Sequence, residues 1–142
     1  CGFTEIDYVL NQESVENRDF DAIEREMTTI ADFCRAHGIT DKVIVEMCKL
    51  DGDDAAKRRV CEIALEAKPG FLKTSTGRSF GGAKLEDVRL MHEVLGDAVA
   101  IKAAGGIHNY EEACAFIEAG ASALGASAGI AIVEGTPTDE RR

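Results

Sequence analysis

The sequence predicts an α/β fold in which a parallel sheet is covered by helices, and within that class a (β/α)8 barrel rather than an open dinucleotide-binding sheet. Three observations carry the expectation. Short apolar runs alternate five times with amphipathic segments through short connections, the pattern of parallel strands joined by crossover helices. The chemically interesting residues fall at the carboxyl ends of those runs, where both architectures place their sites. No G-x-G-x-x-G follows the first strand. Instead Gly105-Gly106 and Gly125-Ala126-Ser127-Ala128-Gly129 follow the last two, where many barrels bind phosphate on bare N–H groups and a short helix N-terminus.

Glu5-Ile6-Asp7-Tyr8-Val9-Leu10 reads as the first strand, with Asp7 on the face opposite Ile6 and Tyr8. Asn11 to Arg18 reads as a polar connection. From Asp19 onward, Phe20, Ile23, Met27, Ile30 and Cys34 recur at helical spacing, and Gly38 supplies a stop. Lys42 to Leu50 is predicted as the second strand from its β-branched Val43, Ile44 and Val45, broken by Asp51-Gly52-Asp53. Ala55 to Lys68 forms a helix with Val60, Ile63, Ala64 and Ala67 inward, closed by Pro69-Gly70.

A strand ending in Lys73 follows, then a loop from Ser79 to Ala83 too rich in glycine to be helical. Leu85, Val88, Met91 and Leu95 mark a third helix that ends at Gly96, and a second strand-like run with a lysine near its end follows from Val99. Asn109 caps a fourth helix, with Glu112 three residues on as in a capping box. That helix is expected to bury Ala113, Phe116 and Ile117 and to stop at Gly120. Ala123 to Ala126 is the last strand, leading into a final short helix.

With 142 residues, 45% of them hydrophobic, the chain fits one domain with a real core. Its formal charge of -10 and pI near 4.7 argue against nucleic acid or an anionic membrane as a partner, because both require a basic patch. No apolar run approaches the ~20 residues of a membrane span, and no signal-type segment opens the sequence. Cys1, Cys34, Cys48, Cys61 and Cys114 are odd in number and form no C-x-x-C pair, which points to small buried side chains in a reducing cytoplasm. His37, His92 and His108 lack metal-ligand spacing.

The most informative stretch is Phe71-Leu72-Lys73-Thr74-Ser75-Thr76-Gly77-Arg78, an apolar run that delivers a lysine into a hydroxyl-rich turn. Val99-Ala100-Ile101-Lys102-Ala103-Ala104-Gly105-Gly106 repeats the arrangement. A single strand lysine ordinarily snorkels at an edge or pairs with a carboxylate. Two at the carboxyl ends of strands in one parallel sheet converge on one cavity. Each cation disfavours protonation of the other, and apolar walls push the same way, so one amine is left neutral and nucleophilic. Imine formation with a carbonyl substrate needs such an amine.

Taken with Glu5-Ile6-Asp7 and Gly125-Ala126-Ser127, the Lys73-Thr74-Ser75-Thr76-Gly77 and Lys102-Ala103-Ala104-Gly105-Gly106-Ile107 motifs resemble, in order, those of the deoxyribose-phosphate aldolases. The resemblance implies a class I aldolase on a (β/α)8 barrel, without metal or organic cofactor. Its reaction cleaves 2-deoxy-D-ribose 5-phosphate to D-glyceraldehyde 3-phosphate and acetaldehyde. Carried over by motif, Lys73 is the imine-forming nucleophile and Lys102 the neighbouring cation. Asp7 orients Lys102 and a proton-shuttling water. Gly77, Arg78, Gly105, Gly106 and Ser127 hold the 5-phosphate. The family often has Lys where Arg78 stands, and a second serine where Ala128 stands. The resemblance also implies a homo-oligomer acting on a small phosphorylated sugar.

A complete barrel needs ~200 residues or more, whereas this sequence carries five strand signals and starts at Cys1. The expectation is therefore one N-terminally incomplete barrel domain over residues 1–142, containing about strands 4 to 8, with open edges at its first and last strands. Two alternatives stay open: a fragment that only binds phosphorylated ligands or a partner chain, and a lysine aldolase acting on another phosphorylated aldehyde.

Overall fold

The computed structural model describes residues 2–78, 81–127 and 129–134. Five parallel strands lie in sequential order: β1 Glu5–Val9, β2 Thr40–Ile44, β3 Phe71–Lys73, β4 Ala100–Ala104 and β5 Ala123–Gly125. Every neighbouring pair is parallel. A doubly wound sheet reverses its strand order at a switch point. This one never reverses, which is the winding of a (β/α)8 barrel, with five of its strands among the described residues. The helices are α1 Gln12–Glu16, α2 Phe20–Ala36, α3 Asp54–Ala67, α4 Leu85–Leu95, α5 Tyr110–Ala119 and α6 Gly129–Glu134.

Alternation along the strands sorts the side chains onto two faces. Val43, Leu72, Ile101 and Ala103 point to the helical side and are fully buried. There they meet Ile23 and Met27 of α2, Val60 and Ile63 of α3, and Val88 and Met91 of α4, in one continuous core. Burying side chains of this size stabilises the fold by roughly 1.5–3 kcal/mol each. The opposite face carries Glu5, Asp7, Val9, Lys42, Lys73 and Lys102, of which Glu5, Asp7 and Val9 on β1 are exposed.

Four local expectations change. The stretch predicted as a polar connection contains α1, because Asn11 Oδ1 accepts from Ser14 N–H at 3.0 Å and Val15 is buried in the core. One apolar residue in five is too little periodicity to read from sequence. The second strand ends at Ile44 rather than Leu50: Glu46 turns left-handed (φ 64°), and Met47–Leu50 forms a 3-10 turn with Met47 and Leu50 both inward. Helix α3 stops at Ala67, where Lys68 adopts φ 55° and donates its N–H to Ala64. Ile117 is 56% exposed rather than buried, since it lies on the flank of α5 beside Phe116, which faces the core. Cys1, Ser79, Phe80 and Ala128 lie outside the described residues.

Candidate active site

The strand registers build the site. Lys73 and Lys102 are direct neighbours across β3 and β4, in one row with Val9, Ile44 and Ala123. In-register residues of parallel strands project to the same face, so both lysines stand side by side at the carboxyl end of the open face. One row below come Asp7, Lys42, Phe71 and Ala100. Lys73 is the last of the three residues of β3 and the turn follows at once, which keeps it at the rim rather than inside.

Asp7 reaches across β2 to the nucleophile candidate: Lys73 Nζ donates to Asp7 Oδ2 at 3.3 Å, and the Lys73 side chain is 13% exposed. Lys42, on the intervening strand, donates to Glu5 Oε2 at 2.9 Å and lies 3.8 Å from Asp7 Oδ1. The Glu5 hydrogen bond, reinforced by the nearby Asp7 charge, outweighs desolvation and raises the Lys42 ammonium above its ordinary range. Acid and base thus alternate as Glu5, Lys42, Asp7 and Lys73. Asp7 was expected to orient Lys102; among the described residues its partners are Lys73 and Lys42. Lys73 lies two strand spacings away, roughly 10 Å of sheet, and Lys102 three. The Lys102 stem instead runs beside Gly125, where a Cβ would stand 3.5 Å from Lys102 Cε.

The hydroxyls after Lys73 serve the scaffold. Thr74 and Ser75 are each 1% exposed. Thr74 N–H donates to Lys102 O at 3.0 Å, Ala104 N–H donates to Thr74 Oγ1 at 3.2 Å, and Ser75 Oγ donates to Ala104 O. These bonds prolong the pairing of β3 and β4 beyond the strands, so the two lysine-bearing segments are tied together on both sides of the amines.

Above them the glycines meet backbone to backbone. Gly77 and Gly105 have φ of +77° and +83°, and a Cβ on Gly105 would fall 2.8 Å from Gly77 Cα and 3.1 Å from Gly82 Cα. Gly82, absent from the sequence-based candidates, belongs to this contact: its own Cβ would meet Gly105 O at 2.6 Å, and Ala83 N–H beside it donates to Ala104 O and Gly105 O, both at 3.0 Å. A glycine inside a loop already rich in glycine offers no sequence signal of such a partner.

A cavity of about 360 Å³ opens here, lined by Lys73, Thr76, Gly77, Arg78, Gly105, Gly106 and Ser127, together with Ala104, Ile107, His108, Gly125 and Ala126. It brings Lys73 together with all five residues expected at a phosphate. Lys102 and Asp7 stand outside its wall. Thr76 and Gly125, which stand in the motifs read from sequence without a role of their own, join the lining together with His108. Among the described residues no carboxylate lines the cavity, although the chain as a whole carries a charge of -10. Among the described residues the N–H groups of Gly77 and Gly106 have no acceptor. Cationic side chains and unpaired N–H groups without a carboxylate form an environment suited to an anion, and a primary amine stands at its edge.

Comparison with known proteins adds to the geometry. No family model matches the chain. It is 48% identical over 134 residues to the deoxyribose-phosphate aldolase of Caldanaerobacter subterraneus subsp. tengcongensis, covering 94% of this chain and 57% of that protein. The enzyme of the same name from Thermococcus gammatolerans is 44% identical over 139 residues, covering 98% of this chain and 61% of the relative. This chain is a relative of the deoxyribose-phosphate aldolases. It spans about three-fifths of the length of the curated aldolases it matches, and the matched region is their C-terminal part. Among solved structures, one titled "QR15, an Aldolase" superimposes with a TM-score of 0.79 at 36% identity over 92% of this chain and 57% of the other. The tetrameric deoxyribose phosphate aldolase of Aeropyrum pernix gives 0.78 at 26% identity over 92% and 54%. The five-stranded sheet is thus shared with part of the aldolase fold.

Proposed function

We propose that the chain carries the catalytic centre of a class I aldolase that cleaves 2-deoxy-D-ribose 5-phosphate to D-glyceraldehyde 3-phosphate and acetaldehyde. The observation that carries this reading is the register of Lys73 beside Lys102, with Asp7 on Lys73, at the mouth of a cavity that no carboxylate among the described residues lines. Lys73, as the free amine, attacks the C1 aldehyde. Loss of water leaves a protonated imine, an electron sink into which the C2–C3 bonding pair flows as the C3 hydroxyl gives up its proton. Glyceraldehyde 3-phosphate departs, the enamine takes a proton at C2, and water returns to release acetaldehyde and the amine. No oxidant or metal enters the balance.

Asp7 is the base in direct contact with Lys73 and shuttles the protons. Lys102, its stem fixed beside Gly125, supplies the second cation that favours loss of the proton from Lys73. Gly77, Gly106 and Arg78 anchor the 5-phosphate, with Gly105 and Ser127 completing the wall, so binding energy far from the scissile bond holds the aldehyde against the amine. The tetrameric relative supports assembly into a homo-oligomer. No described helix is long and apolar enough to cross a membrane, and four free thiols at Cys34, Cys48, Cys61 and Cys114 fit a cytoplasmic setting.

Borohydride reduction with deoxyribose 5-phosphate is the test. The expected result is a covalent adduct on Lys73 that is absent from Lys73→Leu. A second reading rests on the exposed β1 side of the lysine-bearing face, where Val9 is 42% exposed: the chain binds phosphorylated ligands or a partner without turning them over. Folded protein that binds the sugar phosphate but leaves Lys73 unmodified would establish it in place of the first.

A further inference from the structure

We propose that Glu46 is a positioning residue that sets the anion-binding wall of the cavity, and with it the preference for phosphorylated over neutral aldehydes. This deepens the aldolase reading and rests on it for the identity of the substrate. Glu46 lies just past β2, outside the cavity lining, and is 1% exposed. Two unfavourable features coincide there. Its backbone is left-handed (φ 64°) although it is not glycine, and its carboxylate is withdrawn from water. Among the described residues its Oε2 has no hydrogen-bond partner. Such a residue persists where its surroundings over-determine it.

The compensating contact is Glu46 Oε1, which accepts from the Thr76 N–H. It is the third of three bonds between residues 45–47 and residues 73–76. Val45 N–H donates to Lys73 O at 3.1 Å and Met47 N–H to Thr74 O at 2.9 Å. Those two are backbone bonds that many residues could supply. The third needs a side chain with an acceptor at that reach, and it fixes the residue that opens the anion-facing turn Thr76-Gly77-Arg78. The next N–H, on Gly77, has no acceptor among the described residues.

The two ends of the cavity are held differently. Lys73 is fixed by strand pairing to Ile44 and Lys102, which does not involve the Glu46 side chain. Thr76 lies beyond the strand and depends on it. Removing the carboxylate therefore loosens the anion end and spares the amine. A merely structural residue would weaken both together.

The test compares Glu46→Ala and the volume-conserving Glu46→Gln with the unmodified chain. Inorganic phosphate is titrated against the amide resonances of Gly77 and Gly106, and borohydride trapping of Lys73 is timed with acetaldehyde, which has no phosphate. Loss of a charge-assisted hydrogen bond should weaken phosphate about tenfold in Glu46→Ala. In Glu46→Gln, which keeps a weaker acceptor, the expected loss is about threefold. In both variants the Thr76 amide resonance should move upfield while the acetaldehyde trapping rate stays within about twofold of the parent, as expected of an amine held independently. Phosphate affinity unchanged in both variants, or phosphate affinity and trapping falling in parallel, would overturn the proposal. An unmodified chain that traps no aldehyde at all refutes the lyase reading instead, and the phosphate titration with the Thr76 resonance still decides the role of Glu46.

Discussion

Gly105 separates two costs that a glycine substitution imposes. At Gly38 the backbone is left-handed (φ +67°) but a Cβ would meet nothing within 4 Å, so Gly38→Ala should lose only the conformational term, about 1–2 kcal/mol. Gly105 is left-handed too, and its Cβ would strike two backbone carbons that have no rotamer to change. Gly105→Ala should therefore cost roughly 1–3 kcal/mol beyond Gly38→Ala, the usual range for overpacking, and should weaken phosphate binding by prising Gly77 and Gly82 away. Urea melts of the two variants, alongside a phosphate titration, measure both effects. Equal stabilities would mean that the three loops do not touch as described. The lysines show the same dependence on context. Lys42 and Lys73 share Asp7, yet only Lys73 lines the cavity.

At the scale of elements, the helical layer is pinned by a buried charge cluster remote from the cavity. Lys57 on α3, 4% exposed, donates to Asp87 on α4 at 2.6 Å and to Asp51 at 2.9 Å. Asp51, in the turn after the 3-10 segment, also accepts from Lys84 at the start of α4. The cluster ties the connection that follows β2 to the helix that follows the glycine loop, and so braces the loops on which the site depends. Removing one partner of a buried pair strands the other charge. Lys57→Met should cost about 3–5 kcal/mol, whereas Lys57→Met with Asp87→Leu should recover most of it. Chemical denaturation of the two single variants and the double variant gives the coupling directly. Additive losses would show that the pair does not interact.

At the scale of the whole molecule, the same cluster shapes the response to pH. Hydrogen bonds from Lys84 and Lys57 hold the Asp51 carboxyl below the ordinary carboxylate range. The folded state therefore binds that proton less readily than the unfolded chain, for which the reference is about 3.9. Its contribution to stability is complete above that reference and is lost as pH falls through the lower folded value. Lys57 behaves in the opposite sense: burial pulls its ammonium down, but Asp87 and Asp51 outweigh burial and leave it raised. That contribution is complete below the unfolded reference of about 10.4 and is lost as pH rises through the folded value. Urea midpoints should fall on both sides of a neutral plateau, with a shallower acid limb in Asp51→Asn. Identical acid limbs would exclude Asp51 as a source of acid sensitivity.

The sequence by itself determined the alternation of strands and helices, the helix cap at Asn109, and the placement of Lys73 and Lys102 on successive strands. These are encoded by spacings of two to four residues and by single capping side chains, which act within one element. The tertiary structure decided that Asp7 pairs with Lys73 rather than Lys102, that Gly82 closes on Gly105, that Glu46 holds Thr76, and that Ile117 stays exposed. Each of these depends on strand register, loop approach or which neighbours an element has, and such relations between distant parts of a chain leave no local periodicity to read.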